Sequence, residues 1–302
     1  MVKLWGYNAK LMKTNKINNK INNNINNGLI VGVNNGVINY SAVSIKEIEL
    51  IVNTILLPYL NVFTEEGKKI AKERSIDAFK NAIKSCERKN VDIKKLSSNF
   101  NDPSLQMDYI KYTEQIVKNY NDNNLRVLSG IMASRINFGD QSLYQIVLSE
   151  SINVACKLTK KQMALLAIKL MVSNIIEKPI DNEKDLIDYF DKLMELYNDC
   201  LDISWADIQH IDFSGCIINI LNSSTFSESF INDSNCNLFF KDNKKKTNAD
   251  FIKIYPKLDK LISFWEEFNL SNMRCTTIGL CVASEYIECV LNVKLDLKGW
   301  IK

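Results

Sequence analysis

The segment DIQHIDFSGC, residues 207–216, gathers Asp207, His210, Asp212 and Cys216 within ten residues. These are the side-chain types of an orienting carboxylate, a base and a nucleophile, the set that thiol-dependent group transfer requires. Members of such a set usually meet in space and not along the chain. His210 is also the sole histidine, and a lone histidine close to a cysteine reads first as structure. A cysteine-dependent enzyme is therefore kept as an alternative, and no catalytic residue is assigned.

Other chemistry finds less support. Glu183, Asp185, Asp188, Asp191 and Glu195 crowd one acidic stretch, but without the histidines a metal site recruits they describe a solvated helix face. The eight cysteines, at 86, 156, 200, 216, 236, 275, 281 and 289, include no pair at the two-residue gap of a zinc ribbon. Neither a metal nor a cofactor is expected. The ten glycines never gather into a phosphate-cradling loop. No export signal is seen and no run of about twenty apolar residues, so the expected setting is a reducing cytoplasm, with membrane association when active left open. Residues 1–158 hold 21 basic against 14 acidic side chains, and residues 159–302 hold 17 against 21. The stretches LTKKQMALLAIKLM and MRCTTIGLCVAS have the outline of a winged-helix module, yet they lie in the acidic half, which argues against nucleic acid as a partner.

Helices must position these residues, because apolar residues recur at helical spacing from residue 41 onward. Ser44 with Glu47 opens the helix IKEIELIVNTILL, which Pro58 ends. Thr64 caps a second helix with Ile76, Phe79, Ile83 and Cys86 inward. Asp102 caps a third, with Pro103 at its first position and Leu105, Tyr109, Tyr112 and Ile116 on one face. Asp122 and Asp140 are the expected caps of the next two. Thr159 with Gln162 opens KKQMALLAIKLMVSNII, apolar on most of its surface and so central. An acidic amphipathic helix follows with Leu186, Phe190, Leu193 and Leu196 inward. Between 200 and 250 the pattern weakens; GCIINIL and CNLFF read as short strands or buried turns and KDNKKKTNAD as an exposed loop. YPKLDKLISFWEEF and IGLCVASEYIECVLN are two closing helices, the latter entered through Thr276, Thr277 and Gly279.

The first forty residues differ in kind. Ile17, Ile21, Ile25, Leu29, Val33 and Val37 recur every fourth residue through a ribbon of asparagine and glycine. Asn and Gly disfavour a helix interior. In an extended strand, residues four apart share a face, so the six apolar residues line one side. One strand cannot bury that line, and parallel, in-register copies would stack each aliphatic residue on its equivalents while the asparagines form ladders. A low-complexity tail is the plain alternative. A third reading starts from the absence of charge between Lys20 and Lys46 and the strand-length segment LIVGVNNGVIN at 29–39, which suit a multichain barrel or pore.

The stretches NNGLIVGVNNGVINY, EEGKKIAKERSIDAF, QIVLSESINVACKLTKKQMALLAI and MRCTTIGLCVAS carry a likeness that spans most of the chain from about residue 28. On them the chain resembles an uncharacterised bacterial family with an Asn/Gly-rich, strand-like leader and an all-helical body. The resemblance implies fold and organisation, without a reaction. The expected fold class is thus mostly α: a multi-helical body in two regions, 41–158 and 159–302, behind a short β-type oligomerisation segment at 1–40. The expected function is a homo-oligomeric, non-enzymatic assembly or signalling protein, with a bacterial defence effector as the analogy. Its partners would be copies of itself and a regulatory ligand or protein. A membrane-permeabilising pore is the first alternative.

Overall fold

A computed structural model describes residues 63–91, 102–138, 142–173, 180–221, 224–232 and 247–295, with the backbone of residues 33–34 and 37–38. Helices make up most of these residues, so the fold is mostly α. In the leader, β1 (Val33–Asn34) pairs antiparallel with β2 (Val37–Ile38), Val33 opposite Ile38 and Asn34 opposite Val37. Asn35 and Gly36 separate the two strands in sequence, the dipeptide most favoured in two-residue hairpins. Ile17, Ile21, Ile25 and Leu29 lie outside the described residues, as do IKEIELIVNTILL, CNLFF and most of the lysine-rich segment before residue 247. The chain divides into two units, residues 1–125 with 132–139 and residues 126–131 with 140–302.

In the first unit, α1 (Glu65–Arg88) starts at Thr64, whose Oγ1 accepts the Gly67 N–H at 3.2 Å. Its buried face is not the expected Ile76, Phe79, Ile83 stripe. It is a row of small residues, Ala71, Ser75, Ala78, Ala82 and Ser85, continued by Cys86, with the three large ones half-buried at its flanks. The small ridge lets α2 (Pro103–Lys118) approach the α1 backbone closely enough for Tyr112 Oη to donate to the Ala78 carbonyl at 2.7 Å. Asp102 caps α2 by accepting the Ser104 N–H, and Leu105, Tyr109, Tyr112 and Ile116 are all buried, as their spacing predicts. Arg74 donates to the Val117 carbonyl at 2.7 Å and lies over the Tyr120 ring, while Tyr120 Oη donates to Asp77 Oδ2.

Helix α3 (Asp122–Asn137) corrects another expectation. Asn121, in extended backbone, is the cap and accepts the Asn124 N–H at 2.9 Å. Asp122 sits instead in the first turn, where a carboxylate suits the positive end of the helix dipole.

In the second unit, α4 (Leu143–Ala155) is capped by Ser142 through the Gln145 N–H; the expected cap, Asp140, lies outside the described residues. Helix α5 (Lys160–Ser173) is buried along its length from Gln162. Both arms of the Thr159–Gln162 capping box form, at 3.4 and 2.9 Å. It packs against α6 (Glu183–Asn198), which turns Leu186, Phe190, Leu193 and Leu196 inward. Then follow α7 (Trp205–Phe213), β3 (Ile217–Asn219), α8 (Phe226–Asn232), α9 (Asn248–Ile254), α10 (Leu258–Glu267), β4 (Met273–Cys275) and α11 (Thr277–Leu291).

Helix α11 packs on α4 and α5, and the rings of Phe190, Phe226, Phe230, Phe251 and Trp265 meet edge-to-face, tilted or stacked at centroid distances of 5.5 to 6.2 Å. Residues 247–250 are not loop: Thr247 and Asp250 form a full capping box for α9. β3 and β4 form an antiparallel pair, Ile218 opposite Arg274, and β4 leads through Thr276 into α11. Among the described residues no helix is long and apolar enough to cross a membrane.

Candidate functional site

The chemistry-bearing segment folds as the capped start of α7, a helix that the sequence reading did not resolve. Ser204 and Asp207 close a reciprocal capping box, a signal present in the sequence as Ser-x-x-Asp. Asp207 is more than a cap. Its carboxylate takes a hydrogen bond from Lys161 Nζ at 2.8 Å and from Gln162 Nε2 at 3.2 Å, both at the start of α5. Burial pushes the Asp207 carboxyl up, but the bonds from Lys161 and Ser204 and the lysine charge outweigh it, so the net position is below 3.8. The bond to Asp207 in turn raises Lys161.

His210 joins the same cluster. With Gln162 Nε2 committed as donor to Asp207, Gln162 Oε1 is the acceptor, for the Thr159 N–H and for His210 Nδ1 at 3.2 Å. That assignment puts the proton on Nδ1. Asp207 and His210 are thus brought together through Gln162, not in direct contact. Cys216 and Asp212 do not join them. Cys216 is fully buried, and no hydrogen bond connects it to His210 among the described residues. Asp212 accepts from Asn219 Nδ2 at 3.3 Å. The arrangement clamps the first turn of α5 to α7; it does not align a thiol, a base and a carboxylate.

Burial also acts on four of the thiols. Burial pushes Cys86, Cys200, Cys216 and Cys275 up to about 12 from an ordinary 9.0, and the neighbouring Cys275 and Cys281 push Cys216 further the same way. These groups stay protonated in the folded chain where the unfolded chain ionises. The unfolded state therefore binds fewer protons above pH 9, and stability is full below that value and declines as pH rises toward 12. We expect the urea midpoint to fall between pH 8.5 and 10.5, and a thiol reagent at pH 8 to leave these four cysteines unlabelled in the native protein. Rapid native labelling of Cys216 would contradict this assignment.

The acidic stretch on α6 is a solvated face, apart from local roles. Glu183, Asp188, Asp191 and Glu195 are exposed, Asp185 accepts from Asn182 Nδ2 at 2.6 Å, and Asp191 accepts from Tyr255 Oη. No group of three or more His, Cys, Asp or Glu side chains is placed to hold a metal among the described residues.

What the sequence reading missed is apolar. Phe213, the last residue of α7, is 91% exposed, Ile218 on β3 is 48% exposed, and Ile220 and Leu221 beyond it are exposed as well. Glycine at 215, with φ +72°, turns the chain from α7 into β3 through a Schellman-type end in which the Cys216 N–H returns to the Ile211 carbonyl. Asp212, by bonding Asn219, ties the end of α7 to the strand, along which the exposed Ile218 and Ile220 alternate with Asn219 and Leu221. The signal was the run Ile217-Ile218-Asn219-Ile220-Leu221, which breaks the apolar–polar alternation of a half-buried strand.

No curated protein and no solved structure matches the chain. One family model does match, over residues 42–244 and 228–301, under the description ":-like", which names no activity. The match starts after the Asn/Gly-rich leader, so the leader is not part of what it supports. Covering well over half of the sequence, this match shows that the chain belongs to the family that this model describes.

Proposed function

We propose that the chain is a homo-oligomeric, non-enzymatic assembly or signalling protein whose N-terminal repeat forms a β-stem between subunits. The observation that carries this is the unbroken four-residue spacing of Ile17, Ile21, Ile25, Leu29, Val33 and Val37. Through Leu29 an extended strand with that spacing would expose one aliphatic line unless neighbouring copies cover it, whereas Val33 and Val37 stand on the two paired strands β1 and β2. Phe213 and Leu221, each almost fully exposed, add apolar side chains that a contact between copies would cover. A defence effector that switches between silent and active assemblies, in response to a ligand or partner, is the biological setting by analogy.

Deleting residues 1–40 is expected to lower the native particle mass, measured by light scattering, by at least twofold while leaving the helical circular dichroism of the body intact. Unchanged mass would overturn the stem. A second reading, a pore, draws on two observations: the uncharged interval between Lys20 and Lys46, and the antiparallel pairing of β1 with β2, the pairing used in barrels. Dye release from liposomes by the full-length oligomer, abolished by the same deletion, would favour it over a soluble stem.

A further inference from the structure

We draw no further inference here: the strongest candidate, the exposed apolar side chains of Ile218, Ile220 and Leu221 along the β3 edge, carries nothing, because strand alternation sends Leu221 to the opposite face from the two isoleucines and nothing in the structure shows what covers either face.

Discussion

Replacing Asp108 by alanine is expected to destabilise the first unit by about 3–5 kcal/mol, the usual cost of leaving a buried charge without its counter-ion. Arg135 is almost completely inaccessible, and each face of its guanidinium is used: Nε donates to Asp108 Oδ2 at 2.7 Å, one terminal nitrogen to Ser104 Oγ at 2.8 Å, and the other to the Phe138 carbonyl at 3.1 Å. Without the carboxylate the guanidinium is buried without its counter-ion, and the neutral Ser104 Oγ and Phe138 carbonyl do not replace the hydration it has lost. Urea unfolding should show the loss as a lower midpoint. A drop below about 1 kcal/mol would mean that the pair is wetter than its burial indicates. The double variant Asp108→Leu with Arg135→Met should recover much of the loss, because well-packed apolar residues often replace a buried ion pair at no net cost.

The second large effect belongs to Gly279→Ala. A methyl group there would stand 2.0 Å from the Cys216 carbonyl oxygen and 2.9 Å from its carbon. That carbonyl cannot step aside easily. It accepts the Thr276 N–H at 3.0 Å, and Thr276 both caps α11 through the Gly279 N–H at 3.1 Å and donates its hydroxyl to the Gly215 carbonyl at 2.6 Å. The start of β3 and the first turn of α11 are stitched together at van der Waals contact, and a Cβ must part them. The expected loss is at least ~3 kcal/mol, the upper end for overpacking, because backbone and not a side-chain tip must move. Gly67→Ala serves as the control. Its new methyl would meet Thr64 Oγ1 at 3.2 Å in a helical first turn, so the net change should stay within about 1 kcal/mol. Equal effects at the two positions would contradict the close contact at Gly279.

These two sites also show what could be read from residues alone. Gly279 was visible as part of the entry to the last helix, yet its reason, a carbonyl from residue 216, depends on a contact far away in sequence. Asp108 falls within the apolar stripe of Leu105, Tyr109 and Tyr112, a place where a carboxylate needs a partner; that the partner is Arg135 is a tertiary fact. Helices with strong periodicity were legible, and α2, α5 and α6 bury the faces their spacing predicts. Helix α1 was legible in extent but not in rotation, because its contact face is made of alanine and serine, which hydrophobic periodicity scores weakly. Caps moved to the nearest Asn or Ser with extended backbone, at Asn121 and Ser142. Helix α7 was missed because its apolar residues divide between a buried side, Ile208 and Ile211, and exposed Trp205 and Phe213, leaving no single stripe.

The candidate site was legible as a cluster of residue types and not as an arrangement. Asp207, His210, Asp212 and Cys216 are neighbours in sequence, but the fold brings only Asp207 and His210 to a shared partner, Gln162, and leaves Asp212 and Cys216 elsewhere. Gln162, forty-eight residues before His210, decides which nitrogen of the imidazole carries its proton. The exposed apolar border of β3 could not be distinguished in sequence from a buried strand, since both are written in isoleucine and leucine.

The central claim is that this chain works as an assembly of its own copies. Native mass spectrometry of the full-length protein, at concentrations from one to about fifty micromolar, tests it most directly. The account predicts a discrete particle at an integral multiple, two or more, of the 34.6 kDa protomer. A single species at 34.6 kDa across that whole range would contradict it.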